Sequence, residues 1–141
     1  MILIINGPNL NLLGKREPHI YGTRSFEDYL ETLRKAFPKE IIEYFQSNSE
    51  GELIDAIQAA GFNPECKGII INPGAYSHYS IAIADAFASV PARIIEVHIS
   101  NIHAREEYRR HSVTAEKADG VIAGLGLEGY RLAITALIQK Q

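Results

Sequence analysis

Five short apolar runs constrain this chain more than any other feature: Ile2–Ile5, Ile41–Phe45, Ile69–Ile71, Ile94–Val97 and Val121–Ala123. They are mostly β-branched and nearly continuous, which is how strands buried on both faces of a parallel sheet read. Helical patterns lie between them. Phe26, Leu30, Leu33 and Phe37 recur at helical spacing behind Ser25 and Asp28, a capping-box pair. Ser49 and Glu52 open a second helix with Leu53, Ile57 and Ala60, closed by Gly61. A third helix is expected from about Ser77 to Ser89 and a last one from about Leu127 to Ile138. Strand–helix alternation means an α/β fold with right-handed crossovers. The expectation is a three-layer, flavodoxin-like arrangement: a five-stranded parallel sheet with helices on both faces.

The length of 141 residues fits a single domain, residues 1–141, with a sizeable core. Net charge is −3 and no basic stripe is present, which argues against nucleic-acid binding. No apolar run approaches the roughly 18–20 residues of a membrane helix. Met1–Ile5 is too short for a signal core and lacks a basic leader. The lone Cys66 suggests a reducing compartment, and a cytoplasmic location is expected.

Gly124-Leu125-Gly126-Leu127-Glu128-Gly129 matches a dinucleotide fingerprint. That motif also needs a following strand and an acidic residue about 20 positions on, and neither follows Gly129 here. The glycines are expected to serve a tight turn and close helix–strand packing. No Walker A, nucleophile-elbow or H-E-x-x-H pattern occurs, and His98 and His103 lack one-face ligand spacing, so no metal site is expected.

Two stretches lack periodicity, from Gly7 to Arg24 and from His98 to about Thr114. Both follow a strand, where open α/β sheets build their sites. In the first, Gly14 and Gly22 bracket Arg16 and Tyr21, which reads as a mobile lid. Leu10, Leu12 and Leu13 suggest that the loop is packed. After the third run, Asn72 is placed to meet a ligand, while His78 falls in the first helical turn. Ser77 as a plain cap with an exposed His78 explains the latter equally well. Glu96 and His98 share one strand face by period 2. A carboxylate there can orient an imidazole and raise its pKa, as a general acid requires. Arg105 and Arg109 share a face if helical. Their spacing fits a solvated charged surface, but their nearness to His98 suits an anionic or hydroxylated ligand. Asp85, seven residues after His78, sits about 10 Å along the same helix, too far for a dyad. It interrupts an apolar face of Ile81, Ala84 and Ala88, where a neighbouring subunit could supply its partner.

Together these blocks resemble the type II 3-dehydroquinate dehydratases. The resemblance runs nearly end to end through Gly7-Pro8-Asn9-Leu10-Asn11-Leu12-Leu13-Gly14, Arg16-Glu17-Pro18, Tyr21-Gly22, Asn72-Pro73-Gly74-Ala75-Tyr76, Glu96-Val97-His98-Ile99-Ser100-Asn101 and His103-Ala104-Arg105-Glu106. It implies a hydro-lyase without a cofactor that converts 3-dehydroquinate to 3-dehydroshikimate by anti elimination through an enolate. By the same resemblance, Tyr21 is the base, kept ionised by Arg16 and Arg105. Asn9 holds a water at the enolate, and His98, oriented by Glu96, protonates the departing hydroxyl. Asn72 and the amides of Ile99 and Ser100 hold the carboxylate, His78 and Arg109 hold ring hydroxyls, and Asp85 reaches the site of an adjacent subunit. A dodecamer built as a tetramer of trimers is implied. Lys15, His19, Ser77 and Tyr79 stand where the family commonly carries other residues.

The chemistry can balance. A tyrosine phenolate costs roughly 4 kcal/mol at pH 7, and one cation about 4 Å away returns roughly that at an effective dielectric of about 20. Burial opposes it, so two arginines make a usable base where one is marginal. Lys15, Lys35, Lys39, Lys67, Lys117 and Lys140 all lie outside the buried runs, which disfavours a Schiff base. The competing readings are a flavodoxin-like nucleotide or flavin module without catalysis and an inactive structural oligomer. The first needs a phosphate-cradling loop after the first strand. The second is opposed if Arg16, Tyr21, His98 and Arg105 cluster.

Overall fold

The computed structural model describes residues 1–15, 19 and 23–139. The strands are β1 (Ile2–Asn6), β2 (Ile42–Gln46), β3 (Gly68–Asn72), β4 (Ile94–His98) and β5 (Gly120–Ala123). All pairs are parallel, in the order β2-β1-β3-β4-β5. Helices α1 (Phe26–Ala36), α2 (Glu50–Gly61), α3 (Ile81–Ser89) and α4 (Glu128–Ile138) connect or follow them.

Alternation along β1 builds both cores. Ile2 and Ile4 pack with Phe26, Leu30 and Leu33 of α1 and Tyr130, Ile134 and Leu137 of α4. Leu3 and Ile5 pack with Leu53 and Ile57 of α2 and Ile83 and Phe87 of α3. Side chains one apart on a strand point to opposite faces, so the continuous apolar runs serve two layers at once. Four strands extend past their apolar runs by one polar residue, Asn6, Gln46, Asn72 or His98. The register sets Asn6 opposite both Gln46 and Asn72. The polar ends therefore line up along the carboxyl edge of the sheet.

Ser25 Oγ accepts from Asp28 N at 3.1 Å, and Ser49 Oγ accepts from Glu52 N at 3.4 Å. The Glu52 carboxylate does not close the second box but accepts from Ser47 Oγ, at 2.8 Å, and in the first only the Ser25 half is made. Gly61 is the last residue of α2 rather than a left-handed stop: its φ is not positive, and the cap that follows, Phe62, is right-handed. A Cβ at Gly61 would sit 2.5 Å from Val90 Cβ, so close packing is what requires glycine here.

The third helix differs from expectation. A 3-10 turn spans Gly74–His78, and α3 starts only at Ile81, capped by Ser80, whose Oγ accepts from Ile83 N at 3.0 Å. Ser77 is not the cap. Its carbonyl accepts from Val113 N at 2.7 Å, and Ser80 Oγ also donates to Glu50 Oε2 at 2.6 Å. Those two tethers break the chain direction between turn and helix, so His78 and Asp85 do not share one helix.

Candidate active site

A pocket opens over the carboxyl ends of β1, β3 and β4. Asn9, Asn72, His78, His98, Ile99, Ser100, Arg105 and Arg109 all line it, joined by Leu10, Leu12 and Leu13. Glu96 lies behind His98. Asp85 is exposed on α3 and does not line the pocket. Arg16 and Tyr21 lie outside the described residues.

Asn9 is the one described non-glycine residue with positive φ, at 70°. Its N–H donates to Asn48 Oδ1 at 3.0 Å, and Gln46 Nε2 donates to Gly7 O at 3.1 Å. The loop is thus clamped from the end of β2. On its other side, Gly7 lies so close to β3 that an added Cβ would meet Pro73 O at 2.6 Å.

Glu96 and His98 form the pair their spacing implied. Glu96 is fully buried, and its Oε2 accepts from His98 Nε2 at 2.7 Å. Sequence reading missed the rest of this arrangement. Ser112 Oγ donates to the same oxygen at 2.8 Å, and buried Thr114 Oγ1 donates to Oε1. The alternation Ser112-Val113-Thr114, which puts two hydroxyls on one side, was the available signal. A buried carboxylate needs such donors. With Nε2 committed, Nδ1 of His98 is the nitrogen left for a ligand.

His78 Nδ1 lies 2.8 Å from His111 O. A carbonyl only accepts, so Nδ1 carries the proton, and a neutral ring presents Nε2 as an acceptor for a ligand hydroxyl. The condition for Arg105 and Arg109 to share a helical face is not met. Arg105 is extended between 3-10 turns at Ile102–Ala104 and Glu107–Arg109. Glu106 Oε2 lies 3.2 Å from Arg109 Nε and 4.0 Å from Arg105 Nε, so one carboxylate ties the two cations together beside the pocket.

The glycine loop after β5 has the expected tight turn, with φ of 86° at Gly124 and 61° at Gly126. Gly129 would bring a Cβ to 3.2 Å from Val97 Cγ1, the anticipated close packing. The loop also touches the site. Gly124 N donates to His98 O at 3.2 Å, and Gly126 N donates to Ile99 O at 3.0 Å. In a trans peptide the N–H points opposite to the C=O. Holding those two carbonyls turns the amides of Ile99 and Ser100 away from the glycine loop.

Beneath the pocket a polar chain joins four elements, β1, β2, β3 and α4. Tyr130 O–H donates to Asn6 Oδ1 at 2.7 Å and accepts from Asn72 Nδ2 at 3.3 Å, while Asn72 Oδ1 accepts from Gly74 N at 3.1 Å. Asn6 Nδ2 donates to Tyr44 OH at 3.4 Å. Burial pushes the Tyr130 hydroxyl well above the ordinary phenol range, and it pushes Tyr44 up to about 12. Among the described residues, no group of three or more His, Cys, Asp or Glu is placed to hold a metal ion. No described helix is long and apolar enough to cross a membrane.

The model of the class II dehydroquinase family matches residues 1–138. The chain belongs to that family. It is 51% identical to a 3-dehydroquinate dehydratase of Bacillus pumilus, over 98% of this chain and 94% of that one. It is 53% identical to a catabolic 3-dehydroquinase of Penicillium rubens, over 94% and 86%. The crystal structure of the type II dehydroquinase from Butyrivibrio crossotus superposes with a TM-score of 0.91 at 52% identity, covering 98% of this chain and 97% of that one. The family match spans all five strands and so includes every strand end around the pocket.

Proposed function

We propose that this chain dehydrates 3-dehydroquinate to 3-dehydroshikimate as a hydro-lyase, with residues 1–141 acting as one catalytic domain. The observation that carries the reading is the convergence of Asn9, Asn72, His78, His98, Arg105 and Arg109 on one pocket, with Glu96 behind His98, in a class II dehydroquinase. A cyclic hydroxy acid needs cations and amides for its carboxylate, acceptors for its hydroxyls and an acid for its leaving group, and the pocket offers each type.

In this scheme the Tyr21 phenolate, stabilised by Arg16 and Arg105, takes a proton from C2. The electron pair moves into the C3 ketone, giving an enolate that a water on Asn9 stabilises. The enolate collapses to the conjugated enone as the C1–oxygen bond breaks, and His98 protonates the departing hydroxyl from the opposite face, releasing water. Asn72 with the amides of Ile99 and Ser100 holds the carboxylate, and His78 and Arg109 hold ring hydroxyls. Asp85, exposed on α3 beside Ile81, which is 70% exposed, serves the site of an adjacent subunit within a dodecamer of four trimers. A cytoplasmic location is consistent with the single Cys66.

The flavin-module reading is not favoured, because the loop after β1 brings leucines to the pocket where a nucleotide site needs phosphate-cradling amides. Relatives bear both the plain and the catabolic name, and aromatic biosynthesis through the shikimate pathway and quinate catabolism share this step. The test is ultraviolet detection of the enone formed from 3-dehydroquinate. Tyr21→Phe should abolish turnover while substrate still binds, and near-normal turnover in that variant would remove Tyr21 from the scheme.

A further inference from the structure

We propose that Tyr130 is a positioning residue, which sets the Asn72 carboxamide as a hydrogen-bond donor toward the substrate. The proposal rests on the reading of Asn72 as a carboxylate holder. Tyr130 is fully buried on α4 and is distant in sequence from both partners. Its ring is held edge-on against Phe26, with centroids 4.9 Å apart. Its hydroxyl enters between the carboxyl ends of β1 and β3, where Asn6 and Asn72 face each other in register.

The donor and acceptor roles follow from proton counting. A phenol has one proton, and Tyr130 gives it to Asn6 Oδ1 at 2.7 Å. Toward Asn72 it can only accept, and it does so from Nδ2 at 3.3 Å. The other end of the carboxamide is committed as well, since Oδ1 accepts from Gly74 N at 3.1 Å. Rotating the amide by half a turn would set its NH2 against the Gly74 N–H and its carbonyl against a hydroxyl whose proton is already used. Both ends therefore select one orientation. An amide nitrogen has two protons, so one remains for a ligand. The pocket is thereby built for an acceptor such as a carboxylate at this point and against a donor.

The test compares steady-state constants for Tyr130→Phe, Asn72→Ala, the double variant and Tyr44→Phe. Phenylalanine keeps the buried ring and removes only the hydroxyl. Tyr130→Phe should raise KM about three- to tenfold with kcat changed by less than about twofold, the size of one lost neutral hydrogen bond expressed in binding. In the Asn72→Ala background the same change should add nothing, because the two residues act as one unit. Tyr44→Phe removes a hydroxyl from the same chain without touching Asn72, and its KM should match the wild type. An unchanged KM in Tyr130→Phe overturns the proposal. So does an equal rise in the Asn72→Ala background, or in Tyr44→Phe, which would mean general loosening of the core. A wild-type enzyme that forms no enone would defeat the dehydratase reading itself. An active wild type with Tyr130→Phe at normal KM defeats only this inference.

Discussion

Replacing Glu96 by Gln isolates the charge behind His98. The two side chains have nearly the same volume, so no cavity opens. With its carbonyl oxygen in the place of Oε2, glutamine keeps the contacts to His98 Nε2 at 2.7 Å and Ser112 Oγ at 2.8 Å. Its NH2 then faces Thr114 Oγ1, whose hydroxyl can turn to accept. Three charge-assisted hydrogen bonds become neutral ones, a loss of about 1 kcal/mol each. Removing a fully buried charge offsets this by a comparable amount. Stability should therefore change by no more than about 2 kcal/mol. The catalytic effect should be larger. A carboxylate 2.7 Å from a protonated imidazole contributes about 6 kcal/mol at an effective dielectric of about 20, and a neutral amide supplies only the hydrogen bond. A positioned general acid is worth about 10²- to 10⁴-fold, and the variant should lose about 10²-fold in kcat. The assay is enone absorbance under saturating substrate, with a denaturant midpoint measured on the same preparation. A kcat within about threefold of wild type at an unchanged midpoint would refute the role given to the pair. Loss of folding without any catalytic deficit in the folded fraction would recast Glu96 as purely structural.

Gly7→Ala should cost both stability and activity, since its Cβ meets the backbone oxygen of Pro73 at 2.6 Å and backbone cannot rotate away. A loss of about 1–3 kcal/mol by denaturant titration is expected. Gly124→Ala places a side chain at φ 86° and 3.2 Å from Asn101 Cβ. It should raise KM by loosening the carbonyls of His98 and Ile99, and steady-state kinetics would show whether KM moves. Tyr44 and Tyr130 hold their protons more tightly folded than unfolded. Their contribution is fully present below about pH 10, the unfolded phenol value, and is lost as pH rises through the folded values. Stability should fall from pH 10 toward about 12, where Tyr44 titrates, and Tyr44→Phe should flatten that fall in alkaline denaturant titrations.

Much of the fold could be read from local pattern. Continuous Ile and Leu in β1 read as a strand covered on both sides, and Ser25 and Ser49 sit at helix starts because a short hydroxyl suits the orphan N–H groups there. Glu96 and His98 had to share a face because strand period leaves no alternative. Reading failed where contacts join distant segments. Ser77 looked like a cap until a bond to Val113 turned its carbonyl aside. What meets Asp85 was not legible either: it is exposed on α3, where Ala84 is buried and Ile81 is exposed.

Residue period is a property of a few neighbouring positions, so the chain alone determined its strands, most helix starts and the pairing of an acid with an imidazole. Which polar groups meet beneath the pocket depended on sheet order and register. Those set Asn6 beside Asn72 within reach of Tyr130, across 58 and 124 positions of sequence, while the β4–β5 connection brings Ser112 and Thr114 under Glu96. Such contacts are selected by burial of the two cores as a whole. No window of local sequence encodes that quantity.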